Sequence, residues 1–385
     1  MNPQTILIGI TQGDINGIGY ELIIKSLSDP RMLESFTPVI YGSSKVLSYY
    51  RKTMAKGSEF NYTIIRQVDQ AVPHKINMLN LTAQELKIDM GEATQVSAEA
   101  AYESLEAAVR DLNAGKLSAV VTAPINKMAM QSGQFHFSGQ TEYFAARTHV
   151  SDCLMLMVSD SLRIGTVTTH CALSEVSKKI TKDLILNKLR ILNQSMVQDF
   201  ACVKPRIAVL SLNPHGGENG LFGKEESECI VPAIQEAFHE KIYAFGPFPA
   251  DGFFGSGHYT RFDAVLAMYH DQAMIPFKTL SYGAGVNVTV GLPVIRTSPA
   301  HGTAYDIVGK DMASPDSFRN ALYMAYDICM NRQRMNWDPD SEPETEAETE
   351  QPSETFEPER RERSDREERR GREDRRSKEK QTNNE

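Results

Sequence analysis

From Thr5 to about residue 335, short runs of aliphatic and β-branched residues alternate with longer stretches whose apolar residues recur at helical spacing. That alternation restricts the fold more than any single motif does. TILIGI at 5–10 reads as a buried strand, Tyr20-ELIIKSLSD as a helix, Thr37-PVIYG as a strand, and a further helix starts at Ser43. The stretch from Ala93 to Gly115 has helical spacing, ends in a glycine and leads into the strand Ser118-AVVTAP. Later segments repeat the order: strand 163–169, helix 181–198, strand 206–212, helix 224–240, strand 263–268 and a last helix at 316–332. Strand, helix, strand in this rhythm predicts an α/β fold with a largely parallel or mixed sheet covered by helices. A chain of 385 residues, 41% of them hydrophobic, can bury a large core and divides naturally into two domains. No internal repeat is visible.

Charge separates the tail from the body. The net charge of −9 argues against nucleic acid as a general partner of the folded part. From about Asp338 the composition changes to an acidic, proline-bearing stretch and then to an almost wholly charged one, with Phe356 as its only large apolar residue. Residues 336–385 therefore read as a disordered, solubilising tail, because they offer too little apolar surface to offset the entropy of ordering. The apolar runs fall short of the ~18 residues that span a bilayer, so no membrane partner is expected. The N-terminus lacks the basic region and long apolar core of a signal peptide, and a cytoplasmic location is the expectation. Five cysteines without a CxxC pair fit reduced thiols rather than a disulfide framework.

Three histidines each follow an apolar run: Arg163-IGTVTT-His170, Arg206-IAVLSLNP-His215 and Phe262-DAVLAMY-His270. In α/β folds ligands collect beyond the carboxyl ends of strands, so side chains distant in sequence can converge there. Three imidazoles so placed read as one divalent-metal site, although any one alone reads equally as a hydrogen-bonded loop residue. Three nitrogen ligands suit zinc or cobalt, and added carboxylates or waters would admit magnesium or manganese. The segment Gly13-DINGI-Gly19 follows the first strand and opens a helix, where backbone N–H groups can meet an anion or a ribose-phosphate. Gly13 and Gly17 are thus candidate cofactor contacts, while a tight turn explains the glycines as well. The segment does not match G-x-G-x-x-G, and a standard Rossmann domain is not supported. Ala123-PIN-Lys127, Ser138-GQT-Glu142 and the trio Lys278, Asn287 and Arg296 place polar groups where loops are expected. A Lys and an Arg among apolar neighbours suggest an anionic ligand such as phosphate or carboxylate, with ion pairing as the alternative.

The phrases TQGDINGIG, VTAPINK, FSGQTEYFAAR, TTHCAL, LNPHGGENGLFGKEE, GPFPAD, AMYHDQ and GVNVTVGLPVIRTSPAHGTAYDIVGK, in this order over about residues 5–330, resemble the 4-hydroxythreonine-4-phosphate dehydrogenase family of pyridoxine biosynthesis. The resemblance implies two α/β domains around a cleft, similar to isocitrate and isopropylmalate dehydrogenases. Residues 1–130 plus 301–335 would form the first domain, and 131–300 the second, with the metal site and dimer interface. It implies metal-dependent, NAD-linked (or NADP-linked) oxidation of 4-phosphooxy-L-threonine, then decarboxylation to 3-amino-2-oxopropyl phosphate and CO2. His170, His215 and His270 match the family's metal-binding histidines, and Gln140, Thr141, Lys278, Asn287 and Arg296 its substrate-binding positions. Lys127 is a candidate for proton transfer or substrate orientation. His301-GTAY-Asp306 resembles the loop by which the isopropylmalate dehydrogenase relatives hold the adenosine end of NAD, with His301, Gly302 and Asp306 as its contacts. A homodimer with each site assembled from both subunits is implied too. Where the family usually reads G-H-T-E, this chain has Gly139-Gln140-Thr141-Glu142, and glutamine cannot titrate near neutral pH. Two alternatives follow: the same chemistry on another phosphorylated hydroxy acid such as D-threonate 4-phosphate, or an inactive binding or scaffold homologue.

Overall fold

The computed structural model describes residues 5–54, 59–131, 135–281 and 283–335. The charged tail at 336–385 lies outside the described residues. Among the described residues twelve strands form one sheet: β1 (Leu7–Thr11), β2 (Thr37–Gly42), β3 (Thr63–Ile65), β4 (Asn77–Asn80), β5 (Ala119–Thr122), β6 (Leu154–Val158), β7 (Arg163–Thr166), β8 (Arg206–Leu210), β9 (Tyr243–Phe248), β10 (Ala264–Ala267), β11 (Val286–Val290) and β12 (Arg296–Pro299). Their order is β3-β4-β2-β1-β5-β12-β11-β6-β7-β10-β8-β9. Six strands at one side, β3 to β12, run parallel, as do β7, β10, β8 and β9 at the other. Between them β11 pairs antiparallel with β12 and β6, and β6 antiparallel with β7. The chain is therefore α/β with a mixed sheet, and its antiparallel centre sets it apart from a doubly wound Rossmann sheet.

Side-chain alternation sorts the strands into separate cores. In β1, Ile8 and Ile10 join a large apolar cluster with Phe318, Leu322 and Ile328 of the helix Asp316–Arg334. In β5, Val121 joins that cluster while Val120 turns to Ala101, Leu105 and Ala108 of the helix Gln95–Asn113. Both faces of the parallel half are thus covered, as its continuous apolar runs require. At the centre the two faces differ, for one packs on the helix Asp316–Arg334 and the other combines a smaller apolar cluster with polar residues. Leu154, Leu156 and Val158 of β6 and Val286, Val288 and Val290 of β11 sit in the cluster with the helix Asp316–Arg334. The alternate residues Met155, Met157, Asn287 and Thr289 point the other way.

Two expectations about local structure change. Residues 224–240 are not one regular helix: a π-helical turn, Glu226–Ile230, precedes the α-helix Val231–His239. The break coincides with Pro232, which has no N–H to donate to the preceding turn. Lys278, Asn287 and Arg296, expected in loops, lie instead in the helix His270–Leu280, in β11 and at the start of β12, and Gln140 to Glu142, also expected in a loop, open the helix Gln140–Arg147. Polar residues there do not break the elements, because one face of each opens onto a cavity. Among the described residues no helix is long and apolar enough to cross a membrane.

Candidate active site

A cavity of about 270 Å³ opens on the opposite face at the sheet's centre. Register explains its floor. Thr289 lies opposite both Met155 and Arg296, and Asn287 opposite both Met157 and Ser298, so these six residues form two adjacent rows on one face. All of them except Thr289 line the cavity. Its wall is one face of the helix His270–Leu280, where a spacing of four puts His270, Met274 and Lys278 in line. The other side is the end of β5, Thr122 to Lys127, and the start of the helix Gln140–Arg147. No side-chain oxygen caps that helix at Gly139, and Gly139, Gln140 and Thr141 all line the cavity. Free N–H groups of a first turn favour an anion.

Arg296 is the most constrained charge in this site. It is only 3% exposed, and its guanidinium donates to Thr122 Oγ1 at 2.7 Å and 3.2 Å, Thr289 Oγ1 at 3.1 Å and Gln140 Oε1 at 3.0 Å. Every one of those acceptors is neutral. Burial pushes the guanidinium down to about 10, against an opposing pull from the charge of Glu142, so it stays a cation at neutral pH. A buried cation without a carboxylate bonded to it calls for an anion. Asn287 adds a second open valence, since its buried Oδ1 has no hydrogen-bond partner among the described residues.

His170 and His270 face each other with ring centroids 6.3 Å apart. Each is oriented through Nδ1, His170 by Glu142 Oε1 at 3.2 Å and His270 by Asp271 Oδ1 at 2.8 Å. The hydrogen bond to His170 holds the Glu142 carboxyl below its usual range. With each Nδ1–H given to a carboxylate, each Nε2 presents a lone pair, which is how metal-binding histidines are held. The Lys127 Nζ lies 3.4 Å from His170 Nε2, an ammonium donating where a cation would sit. The pair fits a metal ion, but it is only a pair: among the described residues no three His, Cys, Asp or Glu side chains stand together as a metal-binding set. His215 does not line the cavity; its exposed ring lies 6.3 Å from that of Phe222.

The structure thus brings Lys127, Gln140, Thr141, His170, His270, Lys278, Asn287, Arg296, His301 and Gly302 to one cavity. It does not bring His215, Gly13, Gly17 or Asp306 there. Gly13 has a φ of +67°, and a Cβ on it would lie 2.4 Å from Pro124 O; one on Gly17 would lie 2.9 Å from Thr303 O. Close backbone packing accounts for both. Asp14 between them accepts from Tyr305 Oη at 2.7 Å and ties this segment to the 301–306 loop. Asp306 is exposed, and among the described residues nothing lies within 4 Å of where a Gly302 Cβ would stand. A glycine with open space at its Cβ position, followed in the same loop by an exposed carboxylate, suits the ribose end of a dinucleotide. Thr122 and Thr289 carry no sequence signal for a place in this site, and Glu142 stands out in the sequence only as the carboxylate of the polar segment Ser138–Glu142, with no link to a histidine. Glu142 follows Gln140 by two residues, and only its role toward His170, 28 residues on, marks it.

The family described as "pyridoxal phosphate biosynthetic protein PdxA" matches residues 34–325. A 4-hydroxythreonine-4-phosphate dehydrogenase of Bacteroides thetaiotaomicron is 49% identical over 335 residues, 87% of this chain and 92% of that protein. A protein of Oceanobacillus iheyensis, provisionally named D-threonate 4-phosphate dehydrogenase, is 39% identical over 84% of this chain and 97% of its own length. The crystal structure of a 4-hydroxythreonine-4-phosphate dehydrogenase from Klebsiella pneumoniae superposes with a TM-score of 0.73 at 32% identity, covering 84% of this chain and all of that one.

Proposed function

The chain belongs to the PdxA family of pyridoxal phosphate biosynthetic proteins and is a dehydrogenase of that type, and from that premise we propose that the cavity takes 4-phosphooxy-L-threonine, oxidises its C3 hydroxyl and releases CO2 and 3-amino-2-oxopropyl phosphate. The observation that carries the reading is Arg296, a buried cation bonded, among the described residues, only to neutral groups beside a cavity that also holds Lys278. A substrate with a phosphate at one end and a carboxylate at the other supplies the missing anions.

The chain's own groups then have distinct tasks. Arg296 and the uncapped turn at Gly139–Thr141 hold one anionic end, and Lys278, reaching in from the exposed side, holds the other as a point charge. The unpartnered amide oxygen of Asn287 accepts from a substrate N–H or O–H. Lys127 stands beside His170 in the cavity lining, where it can orient the reacting hydroxyl or take part in moving its proton. Met155, Met157 and Met274 exclude water from the floor. A divalent ion (zinc, cobalt, magnesium or manganese) held by His170, His270 and a His215 from a second copy of the chain would supply Lewis-acid polarisation. NAD, or NADP, against His301, Gly302 and Asp306 would supply the hydride acceptor. A homodimer with its two sites shared is part of this reading, supported by a chain that pairs two imidazoles and keeps the third on a separate surface turn.

One observation favours a second substrate. Gln140, where the family usually has histidine, bonds Arg296 and cannot change charge near neutral pH. That alters the wall of the anion pocket, and D-threonate 4-phosphate is the corresponding alternative. The test is NAD(P)H formation, with and without added divalent metal, on 4-phosphooxy-L-threonine, D-threonate 4-phosphate and unphosphorylated 4-hydroxythreonine. Metal-dependent turnover of a phosphorylated substrate, and little of the unphosphorylated one, is expected. Equal turnover of the unphosphorylated compound would overturn the anion-pocket reading.

A further inference from the structure

The turn after β8 holds His215 in a backbone conformation that needs something to maintain it. Residues His215 to Asn219 all have positive φ, between 42° and 75°, and His215, Glu218 and Asn219 among them carry side chains. Left-handed backbone is unfavourable for residues with a Cβ, and a run of it persists only where the surroundings over-determine it. Glu226 closes the neck of this turn. Its buried carboxylate accepts the N–H of Leu212 at 2.9 Å and of Asn213 at 2.7 Å on Oε1, and Asn213 Nδ2 at 2.9 Å on Oε2. Asn213 Nδ2 donates as well to Glu225 Oε2 at 2.8 Å. Two glycines make room for this clasp. A Cβ on Gly217 would lie 2.6 Å from Glu226 Oε2, and one on Gly223 would lie 2.4 Å from Asn213 Nδ2. Beyond the neck, Phe222 N donates to Gly217 O at 3.1 Å and Leu221 N to Glu218 O at 3.2 Å, which closes the turn on itself.

We infer that Glu226 is a positioning residue: its carboxylate locks residues 213–223 into this left-handed turn and so fixes the imidazole of His215 before the turn meets a second copy of the chain. The inference rests on the reading of His215 as a metal ligand. Its physical content is preorganisation, because an imidazole on a free loop loses conformational entropy when it is ordered at the moment of binding. The clasp requires acceptors on both oxygens. An amide at 226 keeps one acceptor for the two backbone N–H groups and turns its own NH2 against that of Asn213.

The experiment compares wild type, Glu226→Gln and His215→Ala as full-length chains, by visible-absorbance titration with Co2+ and by hydrogen exchange of the backbone amides at 212–223. Glu226→Gln is expected to bind cobalt at least ten-fold more weakly and to exchange these amides faster, with exchange elsewhere unchanged. Asn213→Ala, which removes the other arm of the clasp, should give the same pattern and replaces Glu226→Gln if that variant fails to fold. Unchanged cobalt affinity in a variant whose 212–223 amides exchange faster would overturn the positioning role. If wild type and His215→Ala bind cobalt equally, the ligand reading of His215 falls, and exchange alone then decides the clasp: unchanged rates in Glu226→Gln would overturn it.

Discussion

Arg296 is charged where a neutral side chain would suit the empty protein better, and that conflict is testable. Replacing a buried charge by an apolar residue of similar volume is often neutral or stabilising. Arg296→Met should leave the melting temperature of the ligand-free protein equal or raised, while kcat/KM falls by roughly 10²-fold or more, the scale for losing a buried charged partner. A wild-type kcat/KM in that variant would remove Arg296 from the site. The pH behaviour has a definite sign. Burial lowers the folded-state pKa of this base to about 10, so the penalty for its charge is present in full below that pH and is relieved as the pH rises through it. Stabilisation by inorganic phosphate, read as a shift in melting temperature, should therefore hold at neutral pH, fade as the pH rises through about 10, and be absent in Arg296→Met. A shift that faded near pH 6.5 would point to a histidine instead. At this scale the sequence was informative in part. Lys and Arg among apolar neighbours announced an anion, but that Arg296 is bonded only to Thr122, Thr289 and Gln140 depends on strand register, which no local pattern carries.

The helix His270–Leu280 shows how one element can serve the site along its length. His270, Met274 and Lys278 share a face, with the histidine at the first turn and the lysine at the last. Lys278→Ala should raise KM about ten-fold with little change in kcat, because it removes a contact made equally to substrate and transition state. A fall in kcat with KM unchanged would give Lys278 a role in the reaction itself. The junction of β1 with the helix Gly19–Leu27 makes a prediction of stability. Gly13 has a φ of +67° and stands against the Pro124 carbonyl, so Gly13→Ala should destabilise the fold by on the order of 3 kcal/mol, seen as a lower denaturation midpoint. An unchanged midpoint would show that the turn can shift. Long periodic elements were legible in the sequence, among them the helices Gln95–Asn113, Lys182–Gln198 and Asp316–Arg334. The strands β6, β11 and β12 were not, though they carry the cavity floor. In β11 and β12, alternation puts polar residues on the face that carries the cavity, and Asn287 and Arg296 then read as loop.

For the whole molecule, the central question is how three histidines far apart in sequence come to one place. Each follows a strand, which the sequence made plain; that two meet within a chain while the third stands on a separate surface turn was not legible, because it depends on the packing of loops. One chain offers His170 and His270 with their Nδ1 atoms held by carboxylates, and presents His215 elsewhere. Closed two-fold symmetry would bring His215 of each copy to the pair of the other, giving two equivalent sites per dimer. The most direct measurement is complementation between His215→Ala and His270→Ala chains, each inactive alone, after the two are co-expressed or unfolded and refolded together with added divalent metal. Random pairing makes about half the dimers mixed, and each mixed dimer has one intact site of two, so activity should return to about a quarter of the wild-type value. No recovery in a mixture shown to contain mixed dimers would place all three histidines in one chain's site and contradict the shared centre.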